Sequence, residues 1–116
     1  MSNEFVQAVK KELFYDEIPE LREASLEVVN TIDLFMAKLP LPPTLIIARQ
    51  VNVDFIEVLD KISAFVKEVE TQDVDASYAF KKTLILKMEF HLTLATVKRV
   101  GQLVQMMPKV KEEIGD

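Results

Sequence analysis

The chain has 116 residues, of which 49% are apolar and 28% are charged, with a net charge of −5, two glycines and no cysteine. Average usage would give about eight glycines at this length, so an all-β fold with its tight turns is disfavoured. The apolar content argues against intrinsic disorder, and no apolar run approaches about 18 residues, which excludes a membrane span. With no signal-peptide core, we expect one cytoplasmic domain over residues 1–116.

Apolar periodicity, punctuated by prolines, predicts four helices and a short C-terminal tail. The first helix is expected over about residues 3–14, with Ser2 or Asn3 as its N-cap. The second is expected over about residues 19–39, and a stiff, proline-rich connector follows it. One apolar face of this second helix would carry Leu21, Val28, Ile32, Phe35 and Leu39.

The third helix is expected over about residues 44–69. Its continuous apolar stripe would consist of Ile47, Val51, Phe55, Leu59, Ile62, Val66 and Val69. A competing signal lies inside it, because Asp54 and Glu57 resemble a capping box that starts a new helix. Two structures therefore stay open: one continuous helix, which the absence of an internal proline or glycine favours, or two segments that meet at a kink near Asn52.

The fourth helix is expected over about residues 77–107, a length of roughly 45 Å, followed by the tail at 108–116. Its main apolar stripe would consist of Leu86, Phe90, Val97, Val100, Val104 and Met107. A second stripe, at steps of four, would consist of Phe80, Leu84, Met88 and Leu92. A helix that is apolar on most sides is usually buried on most sides, so this helix is either central in the bundle or pairs with another subunit.

These elements predict an all-α fold, an up-down four-helix bundle with a long C-terminal helix that forms oligomers. The first two helices are too short to cover the fourth along its whole length. An uncovered apolar stretch of this kind invites a partner.

No catalytic, cofactor or metal site is predicted. No serine lies in a nucleophile turn, and two glycines cannot build a phosphate-binding loop. The single histidine, His91, is expected to be a structural or surface residue, with a pH-sensitive contact as the alternative. Glu20, Glu23 and Glu27 share one helix face and could bind Mg²⁺, but a solvated acidic face is the simpler interpretation.

Charge is distributed unevenly, with a net −8 over residues 1–75 and +3 over residues 76–116. The basic fourth helix could pair with acidic helices of its own fold, or with acidic surfaces of another subunit. Alternatively, its cations could follow a phosphate backbone. The candidate phosphate contacts are Lys81, Lys82, Lys87, Lys98 and Arg99.

The sequence therefore predicts a non-enzymatic helical protein–protein interaction module, either a self-associating regulator or a small accessory subunit of a larger complex. The second stripe of the fourth helix would be its partner interface. The alternative is a nucleic-acid-associated accessory protein that uses the basic face of the same helix.

Overall fold

A computed structural model describes residues 2–106, in which four α-helices pack against one another. The helices are α1 (Asn3–Glu12), α2 (Ile18–Met36), α3 (Pro43–Thr71) and α4 (Ala76–Gln105). No strand occurs within the described residues, and the predicted all-α class is confirmed. Met107, expected at the end of the fourth helix, and the tail at 108–116 lie outside the described residues.

The first helix ends earlier than the sequence predicted. Ser2 caps it by accepting a hydrogen bond from the backbone N–H of Phe5 at 3.2 Å. The helix stops at Glu12, because Phe14 adopts the left-handed conformation with φ 54° and ψ 41°. A bulky residue is uncommon there, and its ring stacks on Phe90 with 5.1 Å between ring centroids. A single 3-10 turn (Tyr15–Glu17) then leads into α2.

The second helix is also shorter than predicted at its C-terminal end. It ends at Met36 instead of residue 39, since the residues before the prolines of the connector are pushed towards extended geometry. The expected position of Leu39 on the buried face is therefore wrong: its side chain is 47% exposed.

The third helix is continuous for 29 residues and passes through Asn52 without a break. The capping box does not form, because the helix continues through Asp54, whose carboxylate accepts a hydrogen bond from the Gln50 side chain at 2.9 Å. Asn52 is buried and donates its side-chain amide to the Ala48 carbonyl at 2.7 Å. Most of the predicted stripe is buried, but Ile47 is 54% exposed, so its assignment to the core is wrong.

The fourth helix is capped by Asp75, whose carboxylate accepts from the backbone N–H of Tyr78 at 3.1 Å. Within its predicted main stripe, Leu86 and Phe90 are buried. The three valines that follow on the same stripe are only half-buried; they are Val97, Val100 and Val104.

The central helix is α3, which packs against α1, α2 and α4, so α4 is not the centre of the bundle. The molecule is elongated, with extents of 55 × 21 × 18 Å. Ion pairs between the helices show which of them are neighbours. Helices α1 and α2 lie end to end along α3, and α1 lies beside the C-terminal half of α3. The pairs are Lys10–Glu70, Arg22–Asp60, Arg49–Asp33, Lys61–Glu89 and Lys87–Glu12.

The main core lies where α1, α3 and the first half of α4 meet. The side chains at its centre are almost completely buried: Leu13, Phe55, Leu59, Ile62, Phe65, Val66 and Val69. Near the other end of the molecule, α2 and the second half of α4 both flank α3 but hardly touch each other. The two ends of the rod are therefore packed differently.

Candidate protein-interaction surfaces

The second apolar stripe of α4 lies on the outer face of the helix. Phe80, Leu84, Met88 and Leu92 are between 46% and 66% exposed, and Ile85 beside them is 56% exposed. We call these five residues the α4 stripe. The sequence prediction missed Ile85, although its spacing of three to Met88 and seven to Leu92 places it on the same helix face.

The α4 stripe faces outwards because the opposite side of the helix forms the core. Ala79, Thr83, Leu86 and Phe90 are buried there. Thr83 satisfies its hydroxyl group by donating to the carbonyl of Ala79 at 2.7 Å. Since successive residues are rotated by about 100° around a helix, the α4 stripe cannot reach this core as well.

The five candidate phosphate contacts differ in their surroundings. Lys87 is bonded to the Glu12 carboxylate of α1 at 2.5 Å, and this bond holds the pKa of Glu12 below its usual value. Lys82 lies against the Tyr78 ring and donates to its hydroxyl at 3.2 Å. Lys81, Lys98 and Arg99 are exposed and form no ion pair with any residue between 2 and 106.

An open groove between α2 and α4 was not predicted. Its volume is about 520 Å³, and its floor is the N-terminal half of α3. The lining is mostly apolar and includes Val28, Ile32, Phe35, Leu45, Val97, Val100 and Val104. We call it the α2–α4 groove. The valines have the spacing of core residues, so the sequence did not distinguish a core face from a groove wall.

Gly101 lies in the α4 wall of this groove. A Cβ atom added at Gly101 would meet no atom within 4 Å, so the fold of the single chain does not require a glycine there. Glycine in a helix interior is unfavourable, at about 1 kcal/mol relative to alanine. This glycine leaves room for another backbone to approach α4 closely.

The three glutamates of α2 form an exposed acidic row beside the groove. Glu27 lines the groove itself, and Glu20 and Glu23 lie on the preceding turns. None of the three has an ion pair within the described part of the chain. Between residues 2 and 106 no three acidic or histidine side chains converge to hold a metal ion.

His91 is an exposed residue on α4 whose ring contacts two aromatic neighbours. Its ring meets those of Phe14 and Phe90 edge-on, each with 5.6 Å between ring centroids. The side chain therefore covers part of the aromatic cluster that holds the break between α1 and α2.

No family model, curated protein or solved structure matches this chain. Within residues 2–106, every helix is too short or too polar to cross a lipid bilayer.

Proposed function

We propose that this chain is a non-enzymatic helical interaction module that self-associates through the α4 stripe. The observation that supports this function most strongly is the exposure of five large apolar side chains on one face of α4, over residues 80–92. Exposed apolar patches of this kind mark sites of protein association.

The size of the α4 stripe supports the proposal. Five large side chains that are each about half exposed present on the order of 500 Å² of apolar surface. A stable interface buries about 800 Å² per partner, including a polar rim. The α4 stripe could therefore supply the apolar centre of an interface, with the exposed cations of α4 at its edge.

Met88 offers the most direct test, because it is central in the α4 stripe and 64% exposed. Sedimentation of the wild-type chain between about 1 and 300 µM should give a mass that rises above the 13.3 kDa of one copy. Met88→Glu should return the mass to that of one copy, and in dilute solution, where the wild type is also a single copy, it should leave the melting temperature unchanged. A matched control is Ile47→Glu on α3, where the side chain is 54% exposed and lies outside both the α4 stripe and the lining of the α2–α4 groove.

A wild-type chain that stays at 13.3 kDa over the whole concentration range would contradict self-association. An oligonucleotide titration at about 50 mM salt tests the alternative function, nucleic-acid binding. The three exposed cations of α4 are the observation that favours this alternative. Binding that is lost in a Lys98→Glu, Arg99→Glu variant, with an unchanged protein mass, would favour that alternative.

A further inference from the structure

We infer that the α4 stripe of one copy binds in the α2–α4 groove of a second copy, so that the chains assemble head to tail. The inference rests on the proposed self-association and specifies the surface that receives the stripe. The stripe and the groove lie on different faces and different halves of α4, so one copy can use both at once.

The two surfaces match in shape and length. The α4 stripe is the convex side of a helix and spans 13 residues, from Phe80 to Leu92, or about 18 Å. The α2–α4 groove is concave, and its α2 wall extends from Ala24 to Phe35, or about 16 Å. An apolar helix face in an apolar groove is a recurring mode of recognition between proteins.

The other end of the molecule shows how such a groove is filled within one chain. There α1 lies against both α3 and α4, and its Val6 and Val9 are buried, as is Leu13 directly after the helix. Near the α2 end no helix of residues 2–106 takes this place, and Val97 and Val104 stay half-buried. A helix from a second copy would complete the packing around α3.

Gly101 gives the groove a feature that the single chain does not explain. Its missing side chain opens the α4 wall, and nothing in the described part of the molecule occupies the space. A second helix could approach the backbone of α4 more closely at this position than at any residue with a side chain.

Charge also favours the groove as the receiving surface. The α4 stripe is accompanied on its helix by the exposed cations Lys81 and Arg99, whereas Glu27 lines the groove beside the rest of the acidic row. A contact between the stripe of one copy and the groove of another therefore brings opposite charges together. A contact between the stripes of two copies brings like charges together. Complementary charges raise specificity and the rate of association.

A head-to-tail contact leaves one free stripe and one free groove at the ends of the assembly. Such contacts form a ring if the rotation closes and an open chain if it does not. The average mass should therefore rise beyond twice that of one copy as the concentration increases.

Complementation between two defective variants tests this arrangement. Met88→Glu places a charge in the stripe, and Gly101→Leu places a side chain in the groove, at a position where an added Cβ atom meets no atom within 4 Å. Each variant alone should be monomeric. An equimolar mixture should form one complex of two chains and grow no further, because it contains one intact stripe and one intact groove.

The possible outcomes separate the two proposals. If Gly101→Leu associates like the wild type and the mixture forms no new complex, the head-to-tail contact is wrong, but self-association through the stripe stands. If the wild type is monomeric throughout, both fail. Glu27→Lys provides a second groove variant on an exposed side chain: it should weaken association several-fold, and unchanged association would count against the inferred contact.

Discussion

The two ends of this rod use the same pair of long helices but differ in how well those helices are covered. At the α1 end, Phe65 and Val66 of α3 are almost completely buried beneath α1 and α4. At the α2 end, Phe35 and Val100 line an open groove and stay half-buried. The difference shows that α1 closes its end because it contacts both α3 and α4, whereas α2 packs on α3 but hardly touches α4 and leaves a groove.

The largest expected effect comes from the same substitution made at each end. Phe65→Ala should lower the free energy of unfolding by about 3–5 kcal/mol, because it leaves a cavity in a closed core. Phe35→Ala should lower it by only about 1 kcal/mol in the dilute protein, because solvent already reaches the groove. Urea unfolding of both variants measures the difference, and equal losses would show that the two ends are equally well packed.

Gly101→Ala should have a smaller effect of opposite sign. In the dilute chain it should raise the free energy of unfolding by about 0.5–1 kcal/mol, because alanine favours a helix and its methyl group meets no neighbour here. At high concentration the same variant should associate less tightly, since the groove is narrower. Ala95→Gly on the same helix is the control and should lower stability by a similar amount.

A gain in stability with unchanged association would separate the two roles of Gly101. Such a result would mean that the glycine destabilises the helix but does not contribute to association in the groove. A loss of stability would contradict the open space that surrounds this position.

The smallest expected effect is a dependence of the melting temperature on pH, to which one ion pair at each end of the molecule contributes. Lys87 lowers the pKa of Glu12 near the α1 end, and Arg49 lowers that of Asp33 near the α2 end. A carboxylate whose pKa is lower in the folded state stabilises that state above its unfolded pKa, and the contribution is lost as the pH falls through the folded value. The melting temperature should therefore decrease when the pH is lowered below about 4.

The variants Glu12→Gln and Asp33→Asn should each melt at a temperature that depends less on pH in this acidic range. Both pairs are exposed to solvent, so the effect of each should be small and should shrink as salt is added. A pH profile identical to that of the wild type would show that neither pair stabilises the fold.

The sequence was most informative about features that depend on near neighbours in the chain. The helices, the cap of α1 and the second stripe of α4 all follow from local spacing and chemistry. A break between α1 and α2 was predicted, but the end of α1 at Glu12 was not, because the left-handed Phe14 packs against Phe90, a residue far along the chain. Local spacing also says nothing about which helices become neighbours.

The candidate site illustrates the same limit. The spacing of the α4 stripe was predictable, but its exposure depended on α3 taking the central position. The α2–α4 groove was missed because Val97, Val100 and Val104 have the pattern of a core face, while no helix within residues 2–106 covers them. Likewise, the pairing of Lys87 with Glu12 depends on where α1 packs.

Hydrogen–deuterium exchange at low and high protein concentration tests the central claim of self-association most directly. If copies associate through the stripe and the groove, exchange should slow at high concentration in α2 over residues 24–35 and in α4 over residues 80–105, while α1 stays unchanged. An exchange pattern that is independent of concentration along the whole chain would contradict self-association.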